Sequence, residues 1–283
     1  MSSIATRLSR DDGKTVVLDV FKGLEPFTSD PPAEPVIVAF VDTETTGVNP
    51  DVHEVIEVAV RMVEFDRKTG KMTAVFEGLN ELQEPKAMPL PPEIIAITGI
   101  TDADVRGKRA DWQAVADLLE SADLVVAFNA GFDRRMLARY VDTSAQRWAC
   151  LKEHVDWSDI RRTALAQDVL CAWHGFVYDA HRALLDCDAG LRLLNDSGRF
   201  AAFYNRGTAP DYIIRANKAP FPMKDILRER GYFWDAENKV WHRALSEKQA
   251  ADDEMAWLGQ HVYRTARHSA ECAVVHPQAR WLR

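Results

Sequence analysis

The chain has 283 residues, 47% hydrophobic, 28% charged and 9% aromatic, with 14 Gly and 13 Pro, which excludes collagen-like, coiled-coil and wholly disordered architectures and fits one large domain, or one medium and one small domain. No apolar run reaches the roughly 18–20 residues of a membrane helix and MSSIATRLSRDDGK lacks the apolar centre of a secretory signal, so a cytoplasmic protein without membrane association is expected. The net charge of −8 is uneven: residues 1–199 carry 22 Lys and Arg against 33 Asp and Glu, net −11, and residues 200–283 carry 13 against 10, net +3. A polyanionic ligand of so acidic a main part needs metal cations or a local basic surface. Cys150, Cys171, Cys187 and Cys272 show neither zinc-ligand spacing nor a disulfide framework and read as buried thiols.

In chain order, residues 1–35 hold a short apolar patch, Thr15-Val16-Val17-Leu18, and end in Pro31-Pro32-Ala33-Glu34-Pro35, where missing amide donors discourage regular structure; they read as an arm and linker. Val36 to Val41 is a β-branched run suited to a buried central strand, with Asp42 at its end. Glu54 to Phe65 alternates, Asp66 to Lys71 turns, and Met72 to Leu79 returns, completing a three-strand meander. Pro91 to Ile97 and Asp111 to Glu120 read as helices, the second capped by its Asp. Leu124 to Phe128 is a further apolar strand leading into a helix over Ala130 to Tyr140, and strand followed by helix implies an α/β layer. Helices over Ile160 to Trp173 and His181 to Leu194 follow, the latter capped by Asp179.

Beyond about residue 200 the pattern changes to a strand at Tyr212 to Ala216, a helix at Met223 to Arg230, a hairpin of Tyr232 to Trp234 with Val240 to Arg243, and a last helix from the capping box Ser246-Glu247-Lys248-Gln249 to about Tyr263. The expected organisation is an arm (1–35), an α/β domain (36–198) and a small α+β module (205–283).

Asp42 and Glu44 lie two apart at a strand end, so their side chains share a face and can grip a cation; ordinary loop-forming polarity remains the competing account of these two alone. A second strand ends in Asn129-Ala130-Gly131-Phe132-Asp133, placing another carboxylate near the edge where open α/β sheets put their sites. A third acidic cluster, Asp179, Asp186 and Asp188, surrounds the start of a helix, with His181 among it.

These residues resemble the DnaQ-like exonucleases of the DEDD type, a family that includes the proofreading subunit of bacterial DNA polymerase III and RNase T. The matching stretches are Val41-Asp42-Thr43-Glu44-Thr45-Thr46-Gly47, Asn129-Ala130-Gly131-Phe132-Asp133, and His181-Arg182-Ala183-Leu184-Leu185-Asp186 with the family's His-x4-Asp spacing. Thr98-Gly99-Ile100-Thr101 is similar to the family's loop beside the terminal nucleotide. Where some members carry a tyrosine four before the last aspartate, this chain has Arg182, so the histidine subtype fits. Trp148-Ala149-Cys150, Gly175-Phe176-Val177-Tyr178-Asp179 and residues 218–243 are similar to stand-alone bacterial members.

The resemblance implies an RNase H-like fold, a mixed five-stranded sheet flanked by helices, and a metal-dependent 3′-5′ exonuclease releasing nucleoside monophosphates from single-stranded or frayed DNA or RNA, with DNA favoured. It implies Asp42, Glu44, Asp133 and Asp186 as ligands of two divalent cations, His181 as general base, and Thr43, Thr45, Thr98 and Asn129 as substrate contacts. The chemistry suits these types: oxygen ligands favour Mg²⁺ or Mn²⁺, and an imidazole of unperturbed pKa about 6.5 suits proton removal from water. Asp179 is assigned to capping and Asp188 to a solvated or supporting position; Arg134 and Arg135 could meet phosphate or form a wet helix face. In the C-terminal module, Lys218, Lys224, Arg228, Arg230 and Lys239 accompany Tyr232, Trp234 and Trp241, a composition open to nucleic-acid binding, to core packing or to docking of a polymerase or repair partner. A catalytically silent binding module on the same fold is the rival reading, against which the complete carboxylate set speaks.

Overall fold

The computed structural model describes residues 17–158, 160, 165–265 and 267–282 of the chain. Two short strands, β1 (Asp19–Val20) and β2 (Phe27–Thr28), precede three long ones, β3 (Pro35–Thr45), β4 (Val55–Asp66) and β5 (Lys71–Leu82). Helices α1 (Pro92–Thr98), α2 (Asp102–Val105) and α3 (Trp112–Glu120) lead to β6 (Leu124–Ala127), α4 (Ala130–Leu137), β7 (Trp148–Cys150) and α5 (Leu151–His154). Helix α6 (Gln167–Trp173), strand β8 (Phe176–Val177), and helices α7 (Ala183–Ser197) and α8 (Phe200–Thr208) complete this first unit, which also takes in Trp281.

The main sheet has the order β2-β5-β4-β3-β6-β7. Pairing is antiparallel from β2 to β3 and parallel from β3 through β6 to β7. This is the mixed five-stranded sheet expected from the sequence, with β2 added at one edge. Helices cover both faces, which is why β3, β4 and β6 are apolar on both. Val38 and Phe40 face Cys187, Leu191 and Leu194 of α7, while Ala39 and Val41 face Val115 and Leu119 of α3 and Ala130 and Met136 of α4.

One close approach sets the distance between α7 and β3. A Cβ on Gly190 would lie 2.3 Å from Cζ of the fully buried Phe40. Gly190 is one helical turn beyond Asp186, and Phe40 two residues before Asp42, so this contact lets Asp186 descend onto the Asp42 face. Gly190→Ala should therefore lower the melting temperature by roughly 3–10 °C through overpacking; a calorimetric scan matching the wild type would show that Phe40 yields freely.

Several expectations change. β3 continues through Asp42 to Thr45, with a bulge between Glu44 and Thr45, so Asp42 lies inside a strand and not at its end. Residues 17–35 are not a linker: β1 pairs with β8, β2 with β5, and Phe21 packs edge-on to Phe176 at 5.5 Å. Phe21 and Leu24 bury without a period, so no pattern reveals them. Thr15 and Val16 of the apolar patch lie outside the described residues, as do residues 161–164 of the helix expected from Ile160; that helix is described from Gln167. Helix α7 starts at Ala183 with Arg182 at its N-cap, so Asp179 does not cap it. Of the two positions expected for Asp188, the solvated one is excluded. The residue is 2% exposed, accepts bidentate bonds from Arg61 at 2.7 and 2.9 Å, and accepts the Leu24 amide at 2.9 Å.

The second unit spans Ala209–Arg280. Strands β9 (Asp211–Ala216), β10 (Phe233–Asp235), β11 (Val240–Leu245) and β12 (Glu271–Val275) form an antiparallel sheet of order β10-β11-β9-β12. Helices α9 (Lys224–Glu229) and α10 (Lys248–Trp257) accompany it, α9 preceded by a 3-10 turn, Phe221–Met223, and α10 continued by a π-turn, Leu258–Tyr263. Ile214, Ala216, Leu227, Tyr232, Ala251 and Leu258 build its core. The Ser246 capping box does not form, since α10 has Glu247 at its N-cap without a side-chain bond. Strand β12 has no counterpart among the expected elements, and it carries Cys272, which is exposed and unlike the other three, buried thiols.

Candidate active site

Alternation along β3 turns Asp42 and Glu44 toward α7, and the first turn of α7 turns Asp186 toward β3. One carboxylate oxygen from each of Asp42, Glu44 and Asp186 lies within 4.8 Å of the others. The fourth predicted carboxylate, Asp133, sits in the first turn of α4, 3% exposed, and accepts the Thr43 hydroxyl at 2.8 Å. It stands outside the tight trio but close enough to act on it electrostatically.

These acids are held in a strained electrostatic state. Burial first, and then the neighbouring carboxylates of Asp133, Asp186, Glu44 and Glu57, push Asp42 far above the usual carboxylate range. Burial and Asp186 push Glu44 up to about 8. Burial raises Asp133 to about 7 against the opposing Thr43 hydrogen bond. Asp186 is raised by burial too, although it accepts the Tyr178 hydroxyl at 2.7 Å and the amides of His181 and Arg182 at 2.8 and 3.0 Å. Carboxylates gathered with no compensating cation prefer to keep their protons.

His181 is exposed, adjacent to Asp186 through its own amide, and its φ of 72° is left-handed. It precedes the helix that it was expected to start. His53, His154 and His174 make local contacts with Asn49, Cys150 and Leu170 and, among the described residues, are not part of the acidic cluster.

The predicted substrate contacts divide. Thr43, Thr45 and Thr98 are each buried, and their hydroxyls are engaged inside the fold, with Asp133, with the Gly47 carbonyl and with the Ile94 carbonyl. Their hydroxyl protons are therefore committed to the site's framework. Asn129 is exposed at the N-cap of α4, with no side-chain capping bond. Arg134 is fully buried with its guanidinium 5.3 Å over the Trp148 ring, so it is neither a phosphate contact nor a wet face; Arg135 bonds the Gly131 carbonyl at 2.7 Å.

Two supporting groups escaped the sequence reading. Glu57 is fully buried opposite Glu44 in the β3–β4 register, a like-charge pairing that is ordinarily destabilising. It is offset by Arg182 at 2.8 Å and the Ala183 amide at 3.0 Å, which tie the start of α7 to the sheet. Tyr178 reaches Asp186 from eight residues away because the chain reverses between β8 and α7, and Gln167 bonds both the Tyr178 hydroxyl and the Asp186 carbonyl, at 3.1 and 2.8 Å. No regular spacing announces either contact.

Residues 39–194 match the RNase_T family model, described as an exonuclease. Comparison with curated proteins gives no match. Among solved structures, an E. coli ExoI–ssDNA complex in zinc-bound form shares 14% identity over 80% of this chain and 71% of its own, with a TM-score of 0.50. E. coli Exonuclease I with a dA16 oligonucleotide shares 16% identity over 86% of this chain and 64% of its own, also with a TM-score of 0.50. A full-length 3′-exonuclease shares 19% identity over 60% of this chain and 85% of its own, at a TM-score of 0.47. The two Exonuclease I matches, at these identities, show a common fold alone.

Proposed function

The chain belongs to the RNase_T exonuclease family, and from that membership we propose that it removes nucleotides one at a time from the 3′ end of single-stranded or frayed nucleic acid, DNA in preference to RNA, using two divalent cations. The observation that carries this reading is the convergence of Asp42, Glu44 and Asp186 oxygens within 4.8 Å of one another. An all-oxygen set of this kind fits Mg²⁺ or Mn²⁺. The site's own electrostatics fit as well, since carboxyls raised by burial and mutual repulsion are those a cation would relieve.

Asp42, Glu44 and Asp186 would hold the cations, with Asp133 as the fourth ligand. When bound, such ions stabilise charge on the attacking and leaving oxygens and make water a better nucleophile at neutral pH. Water attacks the terminal phosphorus, the bond to the 3′ oxygen of the preceding nucleotide breaks, and a nucleoside 5′-monophosphate leaves. His181 takes the proton of the attacking water, from an exposed position beside Asp186. Tyr178 and the His181 and Arg182 amides orient Asp186, the Glu57–Arg182 pair anchors the helix that carries it, and Thr43 orients Asp133.

The deciding assay compares 5′-labelled DNA and RNA oligomers with and without EDTA. Metal-dependent shortening from the 3′ end, faster on DNA, is the expected result; equal patterns with and without EDTA would end this reading.

Acid pKa values raised in the fold also set a pH dependence. The folded protein keeps protons on Glu44 and Asp133 up to about 8 and about 7, whereas the unfolded chain loses them near about 4, so the folded state binds more protons in between and stability falls as pH rises. In EDTA, the melting temperature should drop from about pH 5 to about pH 8, and saturating Mg²⁺ should remove most of that drop. Calorimetric melts with and without the ion test this, and a metal-free protein whose melting is flat over that window would contradict the charge crowding.

A further inference from the structure

The second unit carries an open cleft of about 420 Å³ lined by Ala219, Phe221, Lys224, Arg228, Trp234 and Trp241. Its rings arrive from three places: Phe221 from the 3-10 turn, Trp234 from β10 and Trp241 from β11. The β10–β11 register sets the two tryptophans opposite one another, with ring centroids 5.5 Å apart and planes at 57°. Trp241 packs partly on the unit's core, but Phe221 and Trp234 take no part in it and are 78% and 50% exposed.

The basic residues of this segment have separated into two groups. Arg230 and Arg243, with the Tyr232 hydroxyl, converge on the buried Glu254 at 2.9–3.1 Å and hold the core together. Lys224 and Arg228 instead flank the cleft. The Lys224 ammonium lies 4.6 Å from the Phe221 ring centroid, and Arg228 pairs with Asp225 at 3.1 Å where both are well exposed, a link weak enough to exchange. Exposed aromatic rings with no core role, next to two available cations, offer base stacking and phosphate contact together.

We propose that this cleft binds an unpaired stretch of nucleic acid, with bases stacked on Phe221 and Trp234 and phosphates met by Lys224 and Arg228. The proposal rests on the nuclease reading for the presence of such a ligand. Charge favours it: residues 209–280 carry 11 Lys and Arg against 10 Asp and Glu, whereas the rest of the chain carries 24 against 33. A polyanion is thus repelled less by this unit than by the other. The lining holds one small aliphatic residue, Ala219, and no Leu, Ile or Val, which suits flat rings better than the branched side chains of an apolar peptide. Base faces are available only outside a duplex, so the ligand must be unpaired.

The test uses full-length protein in EDTA, so that binding is measured without turnover, and a fluorescent single-stranded 20-mer followed by anisotropy. Truncation at residue 205 is avoided because it cuts through α8 and removes Trp281 from beside Gly131 and His154. Trp234→Ala and Phe221→Ala should each weaken binding roughly 5- to 100-fold, and Lys224→Gln should lower the slope of log affinity against log salt by about 1. All three should keep the wild-type melting temperature and metal-dependent hydrolysis of a mononucleotide ester, because none is among the carboxylates proposed to hold the cations. Unchanged affinity in both aromatic variants would overturn the proposal and leave the cleft to a protein partner. A wild type that binds the 20-mer but hydrolyses nothing with metal would instead defeat the nuclease reading, while the affinity comparison still decides the role of the cleft.

Discussion

Asp42→Ala should release no nucleotide above background, yet melt at or above the wild-type temperature when both proteins are metal-free. Asp42 sits among four other carboxylates, Asp133, Asp186, Glu44 and Glu57, and its burial and their charge both oppose its ionisation. Removing it takes away a proposed cation ligand and a source of repulsion in one step, so activity and stability move in opposite directions. The companion Asp133→Ala should be equally inactive but less stable than Asp42→Ala, because it strips the buried Thr43 hydroxyl of its acceptor, a loss of roughly 1–3 kcal/mol. Nuclease rates and metal-free melting curves of the two variants test both statements. Substantial turnover in Asp42→Ala would remove Asp42 from the ligand set; equal stability of the two would show that the Thr43 hydroxyl finds another partner.

His181→Asn should lower turnover by roughly 100- to 10,000-fold, the scale of losing a general base, while cation binding persists. Asn is the informative replacement here. At φ 72° an alanine carries roughly 1–2 kcal/mol of left-handed backbone strain, whereas Asn tolerates that region; the backbone amide that bonds Asp186 is kept in either case. If His181→Asn retains the full rate, another group activates the water.

Much of the catalytic frame is local and therefore legible in sequence. The buried strands announce themselves as β-branched runs, the two-residue period puts Asp42 and Glu44 on one face, and the His-x4-Asp spacing marks the approach to α7. Asp133 at the start of α4 follows from strand-then-helix order. These features depend on neighbours within a few residues, which composition and period encode directly.

The remainder depends on which distant residues meet. Nothing local distinguishes Asp188, buried on Arg61 across 127 positions, from the proposed ligand Asp186 two residues earlier. The hydroxyls of Thr43, Thr45 and Thr98 read as available until the fold shows their acceptors. Tyr178 and Glu57 acquire their roles only when β8 turns back to α7 and β4 pairs with β3. In the second unit, an aromatic and basic composition is plain in the sequence, but the division of Arg230 and Arg243 to the core and Lys224 and Arg228 to the surface depends on where Glu254 is buried. Sequence by itself determined the element types and the chemistry of the acids. The tertiary structure alone decided which polar groups satisfy one another inside and which are left for a ligand, because burial makes an unpaired polar group costly and its partner can come from anywhere in the chain.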